Sequence, residues 1–187
     1  MRAQDGLGQL FEDLEQQANG LHLAERDAEV EDRSRAEYAG VTFAARLHAS
    51  VGATLRLAVD GVGALVGTVV RVGDGWFLVE AAPSRQEWVV SLRAVTRAGG
   101  LSGRAVNEVA RPVSARLSLR SALRGLADAR TSVVVHTRGG AQVRGRLGRV
   151  GADFVELVPP SDAHDRVGTP GPPDVLPFSG LAAIRCG

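Results

Sequence analysis

The sequence contains no lysine: all 22 of its basic residues, in 187, are arginine. Such a composition fits a GC-rich genome, as in an actinobacterium, and leaves every cationic contact to guanidinium. Cysteine is almost absent too. The single Cys186 excludes an internal disulfide and a thiolate metal cluster. No apolar run approaches the about 20 residues that span a bilayer. The first ten residues lack the charged start and apolar middle of a signal peptide. A cytoplasmic protein with no membrane partner is therefore expected.

Chemistry-bearing motifs are scarce as well. His22, His48, His136 and His164 fall on four separate segments without metal-ligand spacing. Cys186 has no neighbouring base to make it a nucleophile. Gly61-Val62-Gly63 and Gly73-Asp74-Gly75 have the spacing of β-turns and not of a strand-to-helix phosphate cradle. No catalytic, metal-binding or cofactor-binding residue is assigned, and the chain reads as a non-enzyme.

What the sequence does contain is an internal repeat. Without a gap, the stretch ending at Val79 reappears in the stretch ending at Leu157, displaced by 78 residues. Gly61 falls on Gly139, Gly67 on Gly145, and Arg71-Val72-Gly73 on Arg149-Val150-Gly151. The apolar class is kept at Leu55/Val133, Leu57/Val135, Leu65/Val143, Val69/Leu147, Trp76/Phe154 and Val79/Leu157. Matching glycines and matching period-two alternation in one register mark two copies of a small β-module.

Around the repeats the pattern changes. Leu7, Leu10, Phe11, Leu14, Ala18 and Leu21 lie at helical spacing, with an acidic opposite face. This region reads as a helical hairpin or a short coiled coil. Ser34 and Glu37 have capping-box spacing, which predicts a helix running to about Ser50. From Thr54 the period becomes two, giving strands at Leu55–Val59, Leu65–Val72, Trp76–Ala81, Glu87–Leu92 and Ala94–Arg97. Gly99–Ser114 reads as a linker and Arg116–Ala127 as a helix. Strands follow at Val133–Thr137, Val143–Val150 and Phe154–Val158. Pro159–Pro173 is a proline-, glycine- and aspartate-rich insertion. Beyond it, Val175–Phe178 and Leu181–Ile184 repeat Val89–Leu92 and Val95–Ala98. The predicted fold is α+β, mainly β. It has two tandem five-stranded bent barrels, each preceded by a helix, behind a helical N-terminus. The predicted organisation is an acidic region 1–40, module 1 at 41–98, a linker at 99–115 and module 2 at 116–187.

A helix followed by strongly bent strands, with the turn-and-glycine pattern Asp60-Gly61…Gly67 and Gly139-Gly140…Gly145, resembles the Sm-like fold of Sm, LSm and Hfq-type proteins. The tail elements 89–95 and 175–181 look like the paired strands that end an Sm module. An SH3-like barrel shares the bent strands but usually lacks the leading helix. The order of elements also resembles actinobacterial two-module proteins. The resemblance implies RNA binding. Its uridine-contacting Asp and Asn would fall at Gly73 and Phe77, and at Gly151 and Val155, and neither copy keeps the pair. Asp74 and Asp153 lie nearby as turn residues.

Charge supplies the functional lead. Residues 1–40 carry ten acids and four arginines, whereas residues 104–149 carry ten arginines against Glu108 and Asp128. Arg138, Arg144, Arg146 and Arg149 fall on strands, and Arg116, Arg120 and Arg124 on the preceding helix. Arg144 and Arg146 share one sheet face. Guanidinium groups grip phosphate bidentately, so this set is expected to bind nucleic acid in a salt-sensitive, sequence-neutral way. Trp88 is the candidate base-stacking residue, whereas Trp76, matched by Phe154, reads as core. The function expected is a non-catalytic RNA-binding or RNA-chaperone protein. The alternative is a protein-interaction scaffold that self-associates or takes a partner through barrel edge strands and the acidic N-terminal helix.

Overall fold

The computed structural model describes residues 26, 29–30, 32–160 and 172–187. The apolar stripe from Leu7 to Leu21, most of the acidic N-terminal region and nearly all of the insertion after Pro159 lie outside the described residues. Two compact units are present, Met1–Val41 and Thr42–Gly187. In the first, residues 32–39 are helical and solvent-exposed. The helix predicted to run from Ser34 to Ser50 is instead broken at Gly40. Thr42 starts a separate helix α1, Phe43–His48, accepting a hydrogen bond from the Ala45 N–H on its hydroxyl.

The second unit contains ten strands. In chain order they are β1 (Thr54–Val59), β2 (Gly63–Val72), β3 (Trp76–Ala81), β4 (Glu87–Ser91), β5 (Val95–Gly99), β6 (Ser132–Thr137), β7 (Gln142–Val150), β8 (Phe154–Val158), β9 (Asp174–Pro177) and β10 (Leu181–Cys186). Helix α2, Leu119–Asp128, precedes β6 and is capped by the Ser118 hydroxyl. Arg116 lies outside α2, in the 3₁₀ turn Val113–Arg116, so the predicted helix is shorter at its start. The segment predicted as a linker is pinned to α1. Val106 N–H donates to the Ala45 carbonyl, and the Arg46 guanidinium donates to the Ser102 carbonyl.

The two predicted barrels are not formed. All ten strands join one open antiparallel sheet in the order β5-β1-β2-β3-β4-β10-β6-β7-β8-β9. Neither set of five strands closes on itself. Instead β4, paired with β3 on one side, takes β10 of the other repeat on its other side, with Ala183 opposite Val90, Ile184 opposite Val89 and Arg185 opposite Trp88. The cause is visible in burial. Trp88, Val89 and Val90 in β4 are all buried, as are Leu181 to Ile184 in β10. Two strands that are apolar on both faces bury most surface against each other, at the centre of a sheet.

The cores cross the same boundary. One cluster gathers Leu47, Leu55, Phe77, Val79, Trp88 and Val90 with Ala182 and Ala183 from β10. The other gathers Leu123, Val133, Leu157 and Ile184 with Trp76 and Val89 from the first repeat. Trp76 is buried, as its alignment with Phe154 predicts, but it packs in the other repeat's cluster. Its indole N–H donates to the Leu117 carbonyl at 2.8 Å.

Hydrogen bonds show that the repeat is real in three dimensions. Gly73 N–H donates to the Trp76 carbonyl and Gly151 N–H to that of Phe154. Asp60 N–H donates to the Ala94 carbonyl and Arg138 N–H to that of Gly180. The tail elements thus correspond at a displacement of 86 residues, with β9 equivalent to β4 and β10 to β5.

Candidate anion-binding groove

The end of α2 meets β7 at a groove of about 730 Å³. Arg124, Arg130, Arg146 and Arg149 line it together with Asp128. Alternation along β7 exposes Arg144 and Arg146 while Leu147 is buried, and a bulge between Leu147 and Val150 lets Arg149 emerge as well. Arg149 is held in a two-pronged ion pair with Glu156, at 3.0 and 2.9 Å. That hydrogen bonding lowers the Glu156 carboxyl below its usual range and raises the Arg149 guanidinium above its own. Arg149 is therefore charge-compensated. Arg124, Arg130, Arg144 and Arg146 form no ion pair among the described residues. The C-terminal carbonyls of α2 contribute about half a negative charge here, which the arginines outweigh.

Arg130 is the residue the sequence reading missed. It sits in the left-handed backbone region, with φ of 52°. Its repeat counterpart is Gly52, with φ of 85°. Glycine adopts this conformation freely, whereas a side chain there costs about 1 kcal/mol or more. Arg144 and Arg146 are also particular to the second repeat, standing where Val66 and Thr68 stand in the first, whereas Arg124 and Arg149 have Arg46 and Arg71 as counterparts. A signal was present in the sequence: a turn glycine in one copy aligned with an arginine in the other.

The remaining predicted site residues are dispersed. Arg138 bridges to Asp60 of the first repeat at 3.0 Å. Arg116 lines a hollow with His48, Asp74, Glu108 and Arg111. Arg120 lines another with Asp74, Arg93 and Phe178. Trp88 is buried beside His136, ring centroids 5.0 Å apart, with the Arg185 guanidinium 5.8 Å above its ring. Little of its surface is left for a base to stack on. Among the described residues no cluster of His, Cys, Asp or Glu has the grouping of a metal site. None of their helices is long and apolar enough to cross a membrane.

His136 carries a pH dependence. Neither ring nitrogen has a hydrogen-bond partner among the described residues. Burial pushes its imidazole below the ordinary value of 6.5, and the Arg185 cation adds to the shift. The unfolded chain takes up a proton near 6.5 that the folded protein resists. Stability is thus complete above that pH and declines as pH falls below it, until the folded imidazole itself is protonated. His48 is shifted the same way, by burial and then by Arg111. The melting temperature is expected to fall between pH 7 and pH 5, and His136→Phe to shrink that fall without abolishing it. Thermal melts of both proteins across this range measure it.

Compared with protein-family models and with curated proteins, the sequence matches none.

Proposed function

We propose that this is a non-catalytic, cytoplasmic RNA-binding protein that holds the phosphate backbone in the groove between α2 and β7. The observation that carries this reading is Arg130. A guanidinium is kept at a backbone position that favours glycine, beside Arg124 and Arg146, where the first repeat has Gly52. Departures from local preference that cost stability concentrate at functional sites. Among the described residues no aromatic side chain lines the groove, so contact is to phosphates and not to bases. Binding is accordingly sequence-neutral and weakened by salt.

The test exploits opposed effects at one residue. Arg130→Gly is expected to stabilise the protein by about 0.5–1 kcal/mol by relieving the left-handed strain. The same substitution should weaken RNA binding and flatten the salt dependence by about 0.7 per lost phosphate contact. Fluorescence anisotropy with short A-rich, U-rich and mixed RNAs at two salt concentrations measures the affinity, and a thermal melt measures the stability. Unchanged affinity in a stabilised variant would sink the assignment.

A further inference from the structure

We infer that the segment joining the two repeats closes a second binding site, one that takes a small zwitterion of the α-amino-acid type. The site is the hollow of about 360 Å³ between α1, the β2–β3 turn and residues 108–116. That volume is at the lower end of the range that small-molecule sites occupy. The joining segment is tied down on both sides of it. Val106 N–H donates to the Ala45 carbonyl of α1, and the Leu117 carbonyl accepts from Asp74 N–H and from the Trp76 indole. The hollow shares no lining residue with the groove between α2 and β7.

Charge selects the ligand. Arg111 and Arg116 line the hollow with Asp74 and Glu108, two guanidinium groups and two carboxylates. Among the described residues none of the four forms an ion pair, with each other or with any further group. Arg111 is half-buried, and its Nε is enclosed without an acceptor among those residues. A part-buried charge left uncompensated is costly, and a bound counter-group removes that cost. A simple anion would suit the arginines but be repelled by the carboxylates, and a simple cation the reverse. A molecule with a carboxylate at one end and an ammonium at the other meets both and adds no net charge. Arg111 and Arg116 hold its carboxylate, and Asp74 and Glu108 its ammonium, by charge-assisted hydrogen bonds. Burial and the nearby Arg111 lower the His48 imidazole from 6.5, so at pH 7 it adds a polar group and no third positive charge. The repeat shows that this set is particular. At the displacement of 78 residues, His48 corresponds to Leu126 and Asp74 to Ala152, while Glu108, Arg111 and Arg116 come from the segment between the repeats. The duplicated module alone does not make this hollow.

The experiment uses the full chain, with the free L-α-amino acids as probes, one at a time. A ligand that binds only the folded protein raises its melting temperature, so a thermal-shift screen finds the members that bind. At least one is expected to do so, and to bind one-to-one by calorimetry. Acetate and methylammonium, each carrying only one of the two charges, should produce no shift at the same concentration. Arg111→Gln and Asp74→Asn remove a charge at nearly constant shape, and each should weaken binding by about tenfold or more. Arg130→Gly, which tests the RNA groove, should leave this binding unchanged. A second readout on the parent protein places the site. Its His48 imidazole resonances, assigned from His48→Gln, should move on titration with the amino acid while those of His136 stay. No shift with any amino acid overturns the inference, as do His48 resonances that fail to move. So does binding that Arg111→Gln and Asp74→Asn both leave intact, or a response to acetate equal to that of the zwitterion.

Discussion

Gly61→Ala is expected to destabilise the protein by about 3 kcal/mol, while Gly139→Ala changes stability by less than about 0.5 kcal/mol. The two glycines are identical in sequence and equivalent in the repeat. Their surroundings differ. Gly61 has φ of 68°, which opposes any side chain. A Cβ there would run into the carbonyl oxygen of Thr137 and come within 3.0 Å of the Gly140 nitrogen. Both belong to the β6–β7 turn of the other repeat, and backbone yields little. Around Gly139 the nearest atom to such a Cβ is the Thr137 hydroxyl at 3.9 Å, an ordinary contact, and its φ is not in the left-handed region. The loss at Gly61 corresponds to a fall of roughly 10 °C in Tm for a chain of this size. Thermal and urea denaturation of the two variants decide the matter. Equal effects would mean that the two repeats do not abut at this turn.

The second large effect falls on a pair that should behave alike. Gly67 in β2 and Gly145 in β7 each sit where the neighbouring strand crosses closely. A Cβ on Gly67 would strike the Glu80 carbonyl and lie close to the Val79 side chain. On Gly145 it would strike the Val158 carbonyl and lie 2.9 Å from Leu157. Neither can be relieved by turning a side chain, since the first obstacle is backbone in both. Gly67→Ala and Gly145→Ala are each expected to cost about 2–3 kcal/mol, and the double variant to be largely unfolded at 37 °C. The side chains that the new methyl groups would meet, Val79 and Leu157, lie in different core clusters, so the losses should add. Chemical denaturation of the single and double variants measures this. A cost at only one site would show that one repeat has relaxed its strand crossing.

Much of the local structure was legible in the sequence. Period-two alternation located strands such as β1 and β7 because each has one face in a core, and strand side chains alternate faces. The paired glycines Gly67 and Gly145 marked the repeat, but that each sits at a close strand crossing where only glycine fits was shown by the structure. The ends of α1 and α2 were harder to place. Gly40 interrupts what reads as one helix, and Ser118 caps α2 two residues after the predicted start. The arginine set was half legible. Arg124, Arg146 and Arg149 were expected and meet in one groove, joined by the unforeseen Arg130, while Arg116, Arg120 and Arg138 face other surroundings. Trp88 read as a stacking candidate because the second repeat has no aromatic residue to match it. Its cover comes from His136 and Arg185, which lie in the second repeat.

The duplication, the strands, the matched glycines and the concentration of positive charge in the second copy can all be read from the sequence. These follow from local periodicity and residue chemistry, which need no knowledge of distant partners. Only the tertiary structure decided how the strands are joined. Whether β4 closes its own barrel or pairs with β10 depends on which arrangement buries more of two strands that are apolar on both faces. That comparison is between residues about ninety positions apart, and no local pattern records it. It turned two modules into one open ten-stranded sheet.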